Sequence, residues 1–223
     1  MKSIPLNNYP REFAITFLHG ITFVTELRIT APEQLDVLLQ HAFFVEADQG
    51  DLILKAGTRG ERYFFLLYGQ LSVYPGEIKA GAEVNRITAG QCFGALSILC
   101  DTDRIASVAV SPDCRGALML SLDLSGLGRL DDFSVFSLFT KLALYRGVVN
   151  NTRWQLELYK MDYPEHVLAA ESSSIESYAG PFGTLQELQS LDRQIQQMTR
   201  MIVRWNEQLS SDQGSAVVRA TWL

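Results

Sequence analysis

The sequence predicts a mainly β domain flanked by helices, followed by a separate amphipathic helix. Between about residues 41 and 122, short apolar or alternating runs are separated by glycine, proline and aspartate. This pattern is typical of a sandwich, jelly roll or barrel. After Ser125 the apolar side chains recur at three- and four-residue steps, which predicts helices. A chain of 223 residues is long enough for one such domain and an appendage.

Residues 1–40 are predicted to form an N-terminal helical segment. Pro32 and Glu33 precede a run rich in leucine, as at a helix that begins with proline in its first turn. Residues 41–125 are the β-rich part, because alternation and a high density of glycine both oppose a helix there.

Residues 126–163 are predicted to form one long helical segment. The apolar spacing places its start near Leu130 and its end before Pro164, with Gly147 as a point where it could break. Residues 164–183 contain a serine run and several glycines and prolines, and we interpret them as a linker.

Residues 184–211 are predicted to form a coiled-coil-like helix. Its apolar stripe has the alternating three- and four-residue spacing of a heptad seam: Leu188, Leu191, Ile195, Met198, Ile202, Trp205 and Leu209. Two interpretations fit this stripe, a helix folded back on its own domain and a seam for a homodimer or another protein, and we favour self-association. The tail, 212–223, is interpreted as a frayed end rather than a docking segment.

The composition excludes several classes of protein. Asp and Glu number 25 against 19 Lys and Arg, for a net charge of −6, whereas nucleic-acid binders carry a basic excess. No run reaches the roughly 18 apolar residues of a membrane span, and the apolar start lacks the features of a signal peptide. The three cysteines have no C-x-x-C spacing, so no metal site is predicted. We therefore expect a cytoplasmic protein that binds neither DNA nor a membrane.

The stretch from Phe93 to Val108 is the most informative part of the chain. Gly94 lets the backbone approach a ligand closely, and a short helix can follow it. Arg104 precedes a predicted strand and can pair with a phosphate. These residues predict a small anion pocket in the β domain, against the alternative that they are ordinary turn and surface residues.

This stretch resembles the phosphate-binding cassette of the cyclic nucleotide-binding domain family, which includes the cyclic AMP receptor protein. The family pattern runs Phe-Gly-Glu-x-Ala-Leu, a spacer, then Pro-Arg-x-Ala-Thr, and Gly57, Gly69 and Gly90 match its framing glycines. The resemblance covers about residues 20–163. It implies an eight-stranded β-roll with flanking helices, to which this chain adds its C-terminal heptad helix.

The resemblance also implies roles for individual residues. The backbone of Gly94, Leu96 and Ser97 would line the sugar–phosphate, and Arg104 would pair with the cyclic phosphate. Ile105 would offer an adjacent amide, and Ser107 would touch the base.

Two departures make the cassette degenerate. Ala95 replaces the acidic residue that holds the ribose 2′-hydroxyl, and losing such a bond costs about 1.5–3 kcal/mol, roughly tenfold to a hundredfold in affinity. Asp103 replaces a proline, and its carboxylate neutralises Arg104 or repels a phosphate, depending on its direction. The retained arginine favours an anionic ligand, and the missing acid argues against an ordinary 3′,5′-cyclic nucleotide.

We therefore expect a non-enzymatic sensor or adaptor without a cofactor. Its candidate ligands are cyclic AMP, cyclic GMP and cyclic di-GMP, and its signal would pass through the helical segments to a protein partner. The alternative is a ligand-free scaffold that works through its C-terminal helix. Catalysis is not expected, because His19, His41 and His166 lack metal-ligand spacing or a nucleophilic partner. No helix-turn-helix follows the long helix, so DNA binding is not expected either.

Overall fold

The computed structural model describes residues 1–8, 18, 21–40, 42–76, 78, 83–172 and 174–212. Within these ranges nine strands form two antiparallel sheets, and their bounds are β1 Lys2–Pro5, β2 Phe43–Asp48, β3 Leu52–Leu54, β4 Arg62–Tyr68, β5 Gln70–Tyr74, β6 Asn85–Thr88, β7 Cys92–Phe93, β8 Ser107–Val110 and β9 Gly116–Asp123. The strand order is β1-β2-β9-β4-β7 in one sheet and β3-β8-β5-β6 in the other.

The described helices flank and extend the sheets. Their bounds are α1 Thr22–Thr30, α2 Pro32–Gln40, α3 Ala95–Leu99, α4 Leu138–Asp162, α5 Val167–Ser172 and α6 Leu185–Asp212. Short 3-10 turns cover Leu6–Asn8 and Ser125–Leu127. None of these helices is both long and apolar enough to cross a lipid bilayer.

The predicted β-roll with flanking helices is confirmed, and strands β2–β9 form it. Strand β1 is an addition that the sequence analysis placed in a helical segment. It pairs antiparallel with β2, with Ile4 opposite Phe44. Only four residues long and ended by Pro5, it carries almost no local signal and depends on β2 for its hydrogen bonds.

Strand β4 shows how the two cores of the protein are built. Successive side chains of a strand point to opposite faces. Phe64 and Leu66 lie in the core between the two sheets, whereas Tyr63 and Phe65 lie in the core between the first sheet and the helices. Both faces of β4 are therefore buried, which explains its continuous apolar sequence.

Helix α4 begins later than the sequence predicts, at Leu138 rather than near Leu130. The Ser137 hydroxyl caps it by accepting from the amide of Thr140 at 3.2 Å. Gln34 of α2 accepts from the Ser137 amide at 2.7 Å. Apolar residues before Ser137 imitate helical spacing, but they lie in a loop, and the cap fixes the start. The helix continues unbroken through Gly147.

One further segment differs from its prediction. The predicted linker, 164–183, contains helix α5, in whose first turn the Leu168 amide donates to Nδ1 of His166 at 3.2 Å. His19, His41 and residues 213–223 of the predicted tail lie outside the described residues.

Helix α6 folds back on its own domain, which is the interpretation we did not favour. It lies beside α4 in the same direction, with Arg146 of α4 paired to Glu187 and Arg153 bonded to Gln194. Every residue of the heptad stripe is buried, at 7% exposure or less, in the same chain. The stripe is therefore part of the core and does not present a dimer seam.

Candidate ligand pocket

Gly94 sets the geometry of the cassette. The chain leaves β7, turns through Gly94 with φ of 89°, and enters α3 at Ala95. This left-handed conformation favours glycine. A Cβ at Gly94 would lie 3.1 Å from the Arg62 carbonyl oxygen and 3.1 Å from Nη1 of Arg104, so the turn packs tightly on the arginine.

Arg104 is buried beneath this turn, with 6% of its surface exposed. Its guanidinium donates to the carbonyl oxygen of Gly94 and, at 3.0 Å, to that of Arg62. Burial lowers the pKa of Arg104, although an arginine at this site stays charged. Its charge is thus held by neutral carbonyl groups, and among the described residues it forms no ion pair.

The carboxylate of Asp103 points away from this arginine. It lies 3.7 Å from Nε of Arg59, which also pairs with Asp101, and all three side chains are more than half exposed. Asp103 therefore neither neutralises Arg104 nor occupies the pocket. Neither of the two effects considered for this carboxylate in the sequence analysis is seen.

The two cassette serines have opposite environments. The Ser107 hydroxyl accepts from the Ala56 amide at 3.0 Å and donates to the Gly76 carbonyl oxygen. The Ser97 hydroxyl is buried and has no hydrogen-bond partner among the described residues. Ser107 thus has a structural role that the sequence did not indicate, whereas Ser97 has unused hydrogen-bonding capacity.

A cavity opens between the roll and the helices. Six of the seven predicted ligand residues line it: Gly94, Ala95, Leu96, Ser97, Arg104 and Ile105. Ser107 does not line it, although its neighbours Ala106 and Val108 do. Ala95 is buried in the wall at 3% exposure, and no Asp or Glu is among the described lining residues.

Sequence reasoning missed the opposite wall, which helices α4 and α6 supply. Asn151, Gln155 and Tyr159 of α4 line the cavity at four-residue spacing, and Asn206 of α6 lies beside them. The sequence signal that could have identified this wall is a set of polar residues on an otherwise apolar face of α4. That this face lies opposite β6 depends on tertiary packing, which the sequence pattern alone does not specify.

A hydrogen bond joins the two helices at this wall. Tyr159 donates to Oδ1 of Asn206 at 3.1 Å, and Asn85 of β6 lines the same cavity. Burial raises the pKa of Tyr159 well above its usual value, so the phenol remains a hydrogen-bond donor at neutral pH. The roll, α4 and α6 all contribute polar residues to this cavity, and the Tyr159–Asn206 bond joins its two helices.

A β-roll with a tight glycine turn over a buried arginine is the architecture that the cassette predicts. Residues 44–123 match the family described as "Cyclic nucleotide-binding domain". This part of the chain belongs to the cyclic nucleotide-binding domain family, so the predicted family is confirmed. Domains of this family are regulatory rather than catalytic.

The chain is also similar to part of a human ion channel. The potassium/sodium hyperpolarization-activated cyclic nucleotide-gated channel 3 of Homo sapiens is 32% identical over 84 residues, which are 38% of this chain and 10% of the channel. The Mus musculus channel gives the same figures. The matched region therefore spans about a tenth of the length of these relatives.

Among solved structures, similar chains include the regulatory subunit of a cAMP-independent protein kinase A from Trypanosoma brucei. It is 25% identical, with a TM-score of 0.42 over 51% of this chain and 38% of that chain. A putative cyclic nucleotide-binding protein from Geobacter metallireducens is 17% identical, with a TM-score of 0.44 over 53% of this chain and 82% of that chain.

Proposed function

We propose that this chain is a non-enzymatic regulatory sensor whose cavity binds a cyclic nucleotide, and that helices α4 and α6 respond to the bound ligand. One observation carries the proposal. A single cavity is lined by Arg104 and the glycine turn of the cassette and by polar residues of both helices. A ligand that fills it would touch the cassette and the helical wall at once.

The anionic end of the ligand would lie at Arg104. Its guanidinium now donates to two neutral carbonyl oxygens, and a phosphate is a stronger acceptor than either. Pairing with a phosphate would redirect these donors and loosen the contact between Arg104 and the Gly94 turn.

Helix α6 is placed to respond to such a change. Nε2 of Gln196 donates to the carbonyl oxygen of Leu99, and the thiol of Cys100 lies 3.4 Å from Oγ1 of Thr199. Leu99 ends α3, the helix that begins at the Gly94 turn. A ligand that binds one arrangement of α3 and α6 more tightly would shift the population toward it.

A protein partner would use the outer face of α6, because its apolar stripe is buried. Exposed polar residues of that face include Gln189, Arg193, Gln197 and Arg200. This surface replaces the heptad stripe as the place where we expect a signal to leave the domain.

A second function, a ligand-free scaffold, has one observation in its favour. Arg104 already makes two hydrogen bonds within the protein, so its buried charge does not require a ligand. A scaffold of this kind would keep the same fold and α6 surface without responding to nucleotides.

Thermal unfolding with millimolar cyclic AMP, cyclic GMP and cyclic di-GMP, each added separately, distinguishes the two functions. A ligand at 100 times its Kd stabilises the folded state by about 2.7 kcal/mol, which raises Tm by several degrees for a chain of this size. The sensor predicts such a rise with at least one nucleotide, and its loss in Arg104→Gln.

Arg59→Gln is the matched control, because it removes a neighbouring but exposed arginine. The control should keep the full ligand-induced rise. If no nucleotide changes Tm, or if Arg104→Gln responds like the wild type, the proposed site is wrong and the scaffold becomes the better account.

A further inference from the structure

We propose that an exposed apolar strip on the outer face of helix α4 is the docking site for residues 213–223 of the same chain. The strip consists of Trp154, Leu158 and Met161, and is called the α4 strip below. The docking does not require the cavity to bind a nucleotide. It replaces the interpretation of residues 212–223 as a frayed end.

The α4 strip is a continuous apolar surface. Its three residues are spaced by four and then three positions, so they lie on one face of the helix. Trp154 is 53% exposed and Met161 is 66% exposed, and Leu158 between them is partly buried. Apolar side chains grouped in this way mark contact sites, whereas single exposed ones need no explanation.

The neighbouring elements occupy the other sides of α4. Helix α1 contacts its first half, where Glu26 lies 3.5 Å from Arg146. Helix α6 lies on a second side, where Gln194 accepts from Arg153 at 2.8 Å. The roll lies on a third side, where Asn151 donates to a carbonyl oxygen of β7 at 2.9 Å. The α4 strip lies on the side that remains.

Residues 213–223 lie outside the described part of the chain, but their starting point is within reach of the strip. Asp212 ends α6 seven residues after Trp205, whose ring lies beside the last turn of α4. The path from Asp212 around α4 to Trp154 is about 30 Å. Eleven residues span up to about 36 Å when extended, so the segment is long enough to cover the whole strip.

The segment also matches the strip in polarity and charge. It carries one cation, no Asp or Glu, and several apolar side chains: Val217, Val218, Arg219, Trp222 and Leu223. The α4 strip is followed by the exposed carboxylates of Asp162 and Glu165, which form no ion pair within the described part of the chain. An apolar segment that carries an arginine complements an apolar surface with an acidic border.

A second copy of the chain is a less suitable occupant of the same surface. Two α4 strips that pair about a two-fold axis would bring the carboxylates of Asp162 and Glu165 from both copies into one interface. Like charges in one interface are unfavourable.

The test compares the full chain with a chain that ends at Asp212, both labelled with carbon-13 at the methionine methyl groups. The docked segment covers Met161, so the methyl signal of Met161 should shift when the segment is removed. Met1, which is 63% exposed on the roll, is the internal control and should not shift. Residues 213–223 added as a millimolar peptide should restore the signal, since a tethered segment has an effective concentration on the order of 1 mM.

Point variants make the same comparison in other backgrounds. Trp222→Ala in the full chain should move the Met161 signal toward that of the shortened chain. With Trp154→Ala present, shortening should move the Met161 signal less than half as far as in the wild type. Phe182→Ala is the matched control, because Phe182 is 78% exposed but lies before the start of α6, about 42 Å from Asp212 and beyond the reach of the segment.

Three outcomes would overturn the proposal. The first is a Met161 signal that is identical in the full and shortened chains. The second is an equal effect of shortening in the Trp154→Ala and Phe182→Ala backgrounds. The third is a Met161 shift that depends on protein concentration, together with sedimentation equilibrium that shows a dimer only for the full chain, because the segment would then dock on a second copy.

Discussion

The phenol hydroxyl of Tyr159 donates to Oδ1 of Asn206 at 3.1 Å, and this bond ties helix α4 to helix α6 at the cavity wall. The Tyr159 ring also stacks on Trp205, with centroids 5.5 Å apart. Both partners of the hydrogen bond are buried, and Asn85 of β6 lines the same cavity. The bond is therefore a physical link between the two long helices that follow the roll.

Replacing Tyr159 with phenylalanine should destabilise the docking of α6. The ring and its stacking remain, but Asn206 loses a hydrogen-bond partner in a buried site. Such a loss costs about 1–3 kcal/mol. Urea unfolding should show this decrease in the free energy of unfolding. The substitution should also increase the hydrogen-exchange rate more in the C-terminal half of α6 than in the sheets.

Tyr68→Phe is the control for this substitution, because Tyr68 is 68% exposed. It removes the same hydroxyl from a surface site and should change the free energy of unfolding by less than about 0.5 kcal/mol. Equal effects of the two variants would contradict a structural role for the Tyr159–Asn206 bond.

The roll could be predicted because its signals are local. Alternating side chains mark strands, and glycine turns mark their ends, as at Gly94, where φ is 89°. The start of α4 could not be predicted from apolar spacing alone, because the cap at Ser137 and the bond of its amide to Gln34 determine it. The sequence did not determine what the apolar stripe of α6 packs against. The same heptad spacing is compatible with packing against a second chain and with packing against α4.

The candidate site was predicted on one side only. A motif identified Gly94, Ser97 and Arg104, since the residues of the cassette are close in sequence. The sequence did not predict the direction in which each side chain points. The carboxylate of Asp103, for example, lies beside the exposed Arg59 rather than in the pocket. The helical wall was missed because Tyr159 and Asn206 meet the roll only through long-range packing.

Shortening a side chain of the buried heptad stripe should lower the stability of the monomer itself. Ile195 is fully buried, so Ile195→Ala should lower the free energy of unfolding by about 2–5 kcal/mol through lost burial and an unfilled cavity. The loss should be the same at low and high protein concentration, since the stripe packs on its own chain. Denaturation at two concentrations a hundredfold apart measures this.

The control is Gln197→Ala, at an exposed position on the same helix, which should be nearly neutral. An unfolding midpoint that rises with protein concentration for the wild type but not for Ile195→Ala would instead indicate that the stripe joins two chains.

Gly147→Ala should stabilise the protein. Gly147 lies inside α4, and a Cβ added there meets no atom within 4 Å. Alanine is favoured over glycine in a helix interior by about 0.5–1 kcal/mol, partly because the unfolded chain loses freedom. A higher Tm is expected, and a lower one would contradict a continuous α4 at this residue.

Gly60→Ala should have the opposite effect. A Cβ at Gly60 would overlap Nη2 of Arg104, so the guanidinium has to move away. Its bonds to the carbonyl oxygens of Gly94 and Arg62 would be lost, at a cost of about 1.5–3 kcal/mol for a charged donor. Thermal unfolding of the free protein tests this, with Gly147→Ala as the comparison, and an unchanged Tm would contradict the placement of Arg104.

The pair of Glu187 with Arg146 should make stability depend on pH in the acid range. The Glu187 carboxylate, 3% exposed, accepts from Nε and Nη2 of Arg146 at 2.7 and 2.8 Å and from the Gly183 amide at 2.6 Å. Burial alone raises the pKa of this carboxyl, but the hydrogen bonds from Arg146 and Gly183 outweigh it and hold the pKa below its usual value.

A depressed carboxyl pKa means that the folded state binds the proton less readily than the unfolded chain does. The contribution of Glu187 is therefore complete above the unfolded pKa, about 4.3, and is lost as the pH falls through the folded value. Glu187→Gln should lose about 2 kcal/mol at pH 7, and its stability should fall less than that of the wild type between about pH 5 and 3. Urea unfolding across this range gives a difference curve in which the other carboxylates cancel.

Glu207→Gln, on the exposed face of α6, is the control and should follow the wild-type curve. Parallel curves for all three proteins would show that Glu187 is not held as a carboxylate by Arg146.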